Sequence, residues 1–425
     1  MLCIIGAGPS GITAAKNARQ AGIPYILFEK SGKVGGNWVF NDGTGHSSVY
    51  ENTHIISSKT LSSYEDYPMP DDYPDYPSHR LVQAYFEDYA RHFGVLDEIR
   101  FHHTVTKATR DASGTWHITV KDADGAETTS EFSHLMVANG HHWNPSHPSI
   151  PGTYTGTYMH SHEFKRVDDS WRGQRVLVIG AGNSGADVAV EASRIASCVH
   201  MSVRSPQWFT PKYLFGIPAD VLATRSHWMP RKLRQWSLTL LLRILQGPYR
   251  KIGLPENTKP VLSHHPTVNS DLLDIIRHGR VVPKPGIASW EGTTVTFSDG
   301  RQAEYDIIVA ATGFKISFPF FDKDFIHFEN AEKIPLYRKM MHADIPNLYF
   351  IGLFQPLGCI WPLADYQAKI ACREINGEYT RPTDLRARIE HEMANPHYAF
   401  DPAPRHAVEV DYHVFRSELM AELRG

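Results

Sequence analysis

The sequence is poor in cysteine. Its four copies (Cys3, Cys198, Cys359, Cys372) stand far apart in 425 residues, and no Cys-x-x-Cys occurs. That excludes a zinc ribbon and a dithiol redox centre. Sparse, scattered thiols suit a reducing compartment, so a cytoplasmic protein is expected. Long apolar runs are also missing. The strongest, residues 238–242, is closed by Arg243, whereas a spanning helix needs ~20 apolar residues, so no transmembrane segment is expected. No basic stretch precedes Leu2, and no leader peptide is expected. An excess of one charge is lacking too. Lys and Arg number 43 and Asp and Glu 46, a net charge of −3, which offers a nucleic acid no electrostatic footing. The 24 histidines include the pairs His102/His103, His141/His142 and His264/His265. None has a third and fourth ligand at metal-site spacing, so no metal is expected. Gly-x-Ser-x-Gly, His-Glu-x-x-His and the Walker A pattern are all absent, which removes the hydrolases and phosphoryl-transfer enzymes that depend on them.

What is present is an ordinary globular composition, 42% hydrophobic and 21% charged. The length corresponds to roughly two to three domains, enough to bury a core without covalent or metal staples. The organisation is set by two copies of one motif. Residues 2–5 (Leu-Cys-Ile-Ile) form a continuous apolar run, as in a parallel strand buried on both faces. Gly6-Ala7-Gly8-Pro9-Ser10-Gly11 follows, then an Ala-rich helix over residues 12–21, then a second strand over residues 25–28 that ends at Glu29. In this GxGxxG, Gly6 permits the tight turn, Gly8 lets the backbone approach a pyrophosphate, and Gly11 lets helix and strand pack closely. The helix N-terminus supplies N–H groups and partial positive charge for the phosphates. Glu29 stands 23 residues after Gly6, where a carboxylate accepts hydrogen bonds from ribose hydroxyls.

The second copy begins about 170 residues later. Residues 175–179 (Arg-Val-Leu-Val-Ile) form a strand. Gly180-Ala181-Gly182-Asn183-Ser184-Gly185 repeats the turn, a helix runs over residues 186–195, and a strand over residues 198–203 ends in Arg204. Arg204 stands 24 residues after Gly180, beside the slot where the first unit carries its acid. An acid there repels a 2′-phosphate; a guanidinium binds it in bidentate fashion. The first unit therefore suits a dinucleotide with free ribose hydroxyls, such as FAD, and the second suits NADPH. The alternative for Arg204 is a solvated side chain at a strand end. Two dinucleotide units in one chain imply electron transfer between two cofactors.

Several segments together resemble the flavin-containing monooxygenases, the single-component class that uses FAD and NADPH. Tyr154-Thr155-Gly156-Thr157-Tyr158-Met159-His160-Ser161-His162-Glu163-Phe164 is similar to the family signature F-x-G-x-x-x-H-x-x-x-[F/Y], with Tyr154 in place of the first Phe. The pair Phe164-Lys165 replaces the Trp-Pro or Trp-Asp of the related Baeyer–Villiger enzymes and so favours the heteroatom-oxidising branch. Gly35-Gly36-Asn37-Trp38, Ser58-Lys59 with Asp66-Tyr67-Pro68-Met69-Pro70, the strand into Ala311-Thr312-Gly313-Phe314, and residues 347–352 with Gln355-Pro356 resemble further family segments.

The resemblance implies an α/β fold of two Rossmann-like dinucleotide-binding domains with parallel sheets. The FAD domain would comprise 1–152 and 310–425, and the NADPH domain 153–309, with a helical insert at 206–262, would be threaded through it. Residues 115–119 and 130–138 are expected in a side sheet. The resemblance also implies the site residues. For FAD they are Gly6, Gly8, Pro9, Ser10, Gly11, Glu29, Lys30, Gly36, Asn37, Trp38, Lys59, Thr312, Gly313 and Gln355. For NADPH they are Tyr154, Gly156, His160, Gly180, Gly182, Asn183, Ser184, Gly185, Arg204 and Ser205, with His160 shaping the linker and not transferring protons. Where the family places an asparagine against the flavin's oxygen-reacting face, this sequence has Ile56, which donates no hydrogen bond; Ser57 and Ser58 are the hydroxyls beside it.

The implied reaction is hydride transfer from NADPH to FAD and addition of O2 at the flavin C4a. One oxygen then passes to an amine nitrogen or sulfide sulfur of a small molecule. Baeyer–Villiger oxygenation of a ketone and an NADPH oxidase or redox flavoprotein are the alternatives, the latter kept open by Ile56. A homodimer is possible. Two further expectations concern surface segments. The basic, apolar stretch around residues 236–245 is expected to be a surface helix packing its apolar stripe, the other reading being an amphipathic helix on a membrane or along a substrate tunnel. The Asp-Tyr-Pro-rich residues 66–77 are expected to form a rigid loop over the flavin entrance.

Overall fold

The computed structural model describes residues 1–398 and 406–424. Part of the expected FAD domain, residues 399–405 and 425, lies outside them. The chain divides into two compact units, Met1–Asn144 with Phe314–Gly425, and Pro145–Gly313. Both are α/β, built on parallel sheets with helices packed against them.

In the first unit the sheet order is Leu336–Tyr337, Met341–His342, Leu348–Phe350, His134–Val137, Leu2–Ile5, Tyr25–Phe28, Ile99–Arg100. The last five run parallel. Leu2–Ile5 is buried along its whole length, which is why its four apolar residues need no alternation. In register, Ile5 lies beside Phe28 on one side and Val137 on the other. The chain therefore diverges to opposite sides of Leu2–Ile5, the topological switch point where open α/β sheets hold ligands. In the second unit the five strands, all parallel, run Thr157–His160, Ile307–Ala310, Arg175–Ile179, Cys198–Ser202, Val281–Lys284. Arg175–Ile179 is the equivalent switch strand, with Ile179 between Ser202 and Ala310. The two glycine-loop helices are Pro9–Gln20 and Asn183–Ala192. The second starts three residues before the sequence-based estimate, directly at the loop.

Three expectations change. Residues 130–138 do not form one side-sheet strand. Glu127–Phe132 joins the antiparallel side sheet with Trp116–Lys121 and Thr104–Arg110, but His134–Val137 turns into the main sheet. Leu135, Met136 and Val137 are buried there between two parallel neighbours. None of residues 66–77, expected over the flavin entrance, lines the cavity at the strand ends of this unit. Tyr67 packs among Tyr85, Tyr89 and His92 of the helix His79–His92 and Phe93 just after it. The helix Arg231–Gln246 does not bury its apolar stripe. Only Thr239 and Leu242 are buried, while Trp236 is 62% and Ile244 71% exposed, with Trp228 at 83% just before the helix. Among the described residues, no helix is long and apolar enough to cross a membrane.

The first unit is braced where its glycine-loop helix meets Trp361–Ile375. Lys16, fully buried, contacts Asp365 at 2.7 Å and Asp66 at 2.6 Å. The same Asp365 oxygen accepts from Thr13 Oγ1 and Asn17 Nδ2, and the other pairs with Lys369. Burial alone would raise the Asp365 carboxyl; Lys16 and Lys369 outweigh it and hold the carboxyl below its usual range.

Candidate functional site

A cavity of about 370 Å3 opens at the carboxyl ends of the first unit's central strands. Its floor is the glycine turn. Gly6 has φ +98°, and a Cβ there would stand 2.8 Å from the Ala138 carbonyl oxygen, so the turn closes only with glycine. Gly8, Pro9 and Ser10 line the cavity at the helix N-terminus. Glu29 is buried at the end of the second strand. Its carboxylate accepts from Ala7 N–H at 2.6 Å and Ser31 N–H at 2.8 Å. This ties the acid to the turn and leaves it lining the cavity. Lys30 lies over Trp143, which stacks on His46.

Gly36, which lies against Gly8, lines the same cavity with Asn37, Trp38, Ile56 and Ser57. Trp38 meets Trp361 edge-on at 5.5 Å. The Asn37 side-chain oxygen accepts from Ser48 N–H, so this residue braces the neighbouring loop. Ile56 presents an apolar side chain. Ser57 lines the cavity, but its hydroxyl is 2.8 Å from Ser62 Oγ. Ser58 is buried and precedes the short helix Lys59–Ser62. Ser58, Lys59, Thr312 and Gly313 are not among the lining residues. The Lys59 ammonium instead clasps the carbonyls of Asp71 and Tyr73, and Thr312 Oγ1 donates to the Ser146 carbonyl within the second unit.

Sequence reasoning missed two loops of the cavity wall, besides scattered lining residues such as His46, His103 and Phe320. Residues 138–143 follow the central strand His134–Val137, and residues 358–361 lead into the helix Trp361–Ile375; both line the cavity. The signal available was positional, since ligands gather at the carboxyl ends of strands flanking a switch point. Within this wall, His141 Nε2 and Gln355 Oε1 are buried with no hydrogen-bond partner of normal geometry among the described residues. Burial pushes His141 down to about 4, against the opposing Gln355. An uncharged imidazole and an amide oxygen left open in the wall of a cavity that also holds the glycine turn and the Glu29 carboxylate fit a dinucleotide with a polar ring.

The second glycine loop repeats the first. Gly180 has φ +104°, with the Ala311 carbonyl oxygen 2.5 Å from where a Cβ would stand. Gly182 is different. Its φ is −73°, and a Cβ there would meet nothing within 4 Å. Glycine at 182 thus leaves open space at the helix N-terminus, as an approaching pyrophosphate requires. Ser184 and Gly185 lie in the first turn of that helix. The Asn183 side-chain oxygen accepts from Val268 N–H at 2.7 Å. Arg204 and Ser205 are exposed just beyond Cys198–Ser202.

The signature residues act as joinery within this unit. The Tyr154 hydroxyl donates to the Tyr305 carbonyl at 3.0 Å. A side chain at Gly156 would collide with that hydroxyl. His160 is fully buried, and its Nδ1 accepts from the His162 N–H at 3.1 Å; burial first, then His147 and His162, lower it to about 4. It is neutral at working pH, which agrees with a shaping role.

The description "Flavin-binding monooxygenase-like" matches residues 1–424. Flavin-containing monooxygenase 5 of Homo sapiens is 34% identical over 445 residues, spanning 100% of this chain and 82% of that protein. Dimethylaniline monooxygenase [N-oxide-forming] 2 of Rattus norvegicus is 32% identical, with 99% and 82% covered. Among solved structures, S-allyl-L-cysteine S-oxygenase of Allium sativum superposes with a TM-score of 0.70 at 22% identity, covering 99% of this chain and 88% of that one. A complex of OTEMO with FAD and NADP gives 0.75 at 17% identity, covering 100% and 97%.

Proposed function

The chain belongs to the flavin-binding monooxygenase-like family, and from that premise we propose that it oxygenates the amine nitrogen or sulfide sulfur of a small molecule. It is an NADPH-dependent oxidoreductase that uses O2, with FAD and NADPH as cofactors. Together these supply hydride transfer and activation of dioxygen.

The chain's own residues do the rest. Gly8 and the helix N-terminus take the FAD pyrophosphate, and Glu29 takes a ribose hydroxyl. Gly182 and Arg204 take the NADPH pyrophosphate and 2′-phosphate. Ile56 and its neighbours keep water from the reacting face. The observation that carries the reading is the wall beside Ile56. The Ser57 hydroxyl is committed to Ser62, and His141 is neutral at working pH. Such a wall shields without moving protons, which suits an acceptor whose lone pair needs no general base. The names of two relatives, one for N-oxide formation and one for S-oxygenation, support the same acceptor class, as does Phe164-Lys165 after the signature.

The test is product analysis with NADPH and three probes, N,N-dimethylaniline, methyl phenyl sulfide and cyclohexanone, with hydrogen peroxide measured alongside. N-oxide and sulfoxide are expected. A lactone as the main product would move the chain to the Baeyer–Villiger branch, and peroxide alone would make it an oxidase.

A further inference from the structure

The second glycine loop is held from outside by residues 267–269. Thr267 is buried, and its hydroxyl donates to the Ala181 carbonyl at 2.6 Å across 86 residues of sequence. The next two residues add Val268 N–H to Asn183 Oδ1 and Asn269 Nδ2 to Asp187 Oδ1, both at 2.7 Å. The segment is itself anchored, because Thr267–Val268 pairs in parallel with Phe209–Thr210.

The peptide bond turns this brace into a functional device. It is planar and trans, so its C=O and N–H point in opposite directions. Holding the Ala181 oxygen toward Thr267 turns the Gly182 N–H the other way, at the position where no protein atom would meet a Cβ. The first unit fixes the matching peptide differently, since the Ala7 carbonyl accepts from the backbone N–H of Gly35 at 3.1 Å. One unit thus relies on a main-chain contact from the loop at Gly35. The other relies on one side-chain hydroxyl.

We propose that Thr267 is a positioning residue for NADPH: its hydroxyl sets the Ala181–Gly182 peptide so that the Gly182 N–H faces the dinucleotide pyrophosphate. This rests on the reading that the second glycine loop holds NADPH. The pyrophosphate is common to NADPH and NADH, so loss of the hydroxyl weakens both by the same factor, whereas loss of Arg204 weakens NADPH alone.

The experiment compares Thr267→Val, Thr267→Ser and Arg204→Glu in the FAD-loaded enzyme. It measures KM and kcat for both nucleotides, NADP⁺ affinity by calorimetry, and FAD content by absorbance. Thr267→Val is expected to raise both KM values and the NADP⁺ dissociation constant about tenfold, the effect of one hydrogen bond. FAD content and kcat should be unchanged, and Thr267→Ser should restore binding. If the Val protein does not fold, Thr267→Ala read against Thr267→Ser takes its place. Unchanged binding in Thr267→Val while Arg204→Glu loses NADPH overturns the proposal and leaves the site in place. Failure of the serine to restore binding also overturns it, because packing would then be the cause. If neither Arg204→Glu nor Thr267→Val alters nucleotide binding, the second-loop site itself falls, and the proposal with it.

Discussion

Replacing Asp365 by Asn should unfasten the helix that carries the first glycine loop. Lys16 is fully buried and has two acidic partners, of which Asp365 is itself buried and Asp66 is one-third exposed. At 2.7 Å and an effective dielectric of about 20, the Lys16–Asp365 attraction is roughly 6 kcal/mol. Desolvation of the two ions costs several kcal/mol each, so the intact pair is near neutral in net stability. Removing the Asp365 charge is a different matter, since it leaves the buried Lys16 with only the part-exposed Asp66. The expected loss is roughly 3–5 kcal/mol. Heating the protein while following FAD fluorescence reads the first unit directly, and the release temperature should fall by roughly 6–20 °C. Adding Lys16→Met to Asp365→Asn should recover most of the loss. The new amide oxygen still accepts from Thr13 and Asn17, and no buried charge remains unpaired. A single variant within 2 °C of the parent, or a double variant worse than the single, would refute the reasoning.

Three other outcomes follow from the same geometry. Arg204→Glu should raise the NADPH KM roughly 10- to 100-fold, from the loss of charge-assisted hydrogen bonds to the 2′-phosphate, with NADH little changed; equal effects on both nucleotides would contradict the assignment. Ile56→Asn breaches the apolar wall with a polar group and should raise the peroxide formed per NADPH severalfold, measured by a peroxidase-coupled assay; an unchanged ratio would separate Ile56 from coupling. His141 and His160, buried and lowered from 6.5 to about 4, bind fewer protons in the folded than in the unfolded chain between those values. Stability should therefore fall as pH drops from about 6.5 toward 4, read as melting temperature against pH; a flat profile down to pH 4.5 would contradict their burial as neutral rings.

Much of the scaffold was legible because its determinants are local. Residues 2–5 and 176–179 are continuous apolar runs leading into a glycine that only the turn explains, and Glu29 and Arg204 follow at similar distances beyond them. The α/β class followed from those two units. His134–Val137 was not separable from the hairpin before it, because its first residue is polar and only Ser133 divides the two strands. Its place in the sheet is set by partners more than 100 residues away in each direction. The cavity wall at residues 138–143 carries no motif, since it is defined by where that strand ends. Lys59 looked like a cofactor contact and is a clasp for a neighbouring loop, a difference that only tertiary geometry settles. Thr267 could not have been read from sequence at all. Its role depends on one hydroxyl meeting one carbonyl across the fold.

The central claim is that oxygen from O2 ends on a soft nucleophile. It is tested most directly by supplying the FAD-loaded enzyme with NADPH, ¹⁸O-labelled dioxygen and methyl phenyl sulfide, and reading the product by mass spectrometry. The account predicts sulfoxide carrying one ¹⁸O, with sulfoxide plus peroxide equal to the NADPH consumed. NADPH consumption matched by peroxide alone, with no labelled sulfoxide or amine oxide, would contradict it.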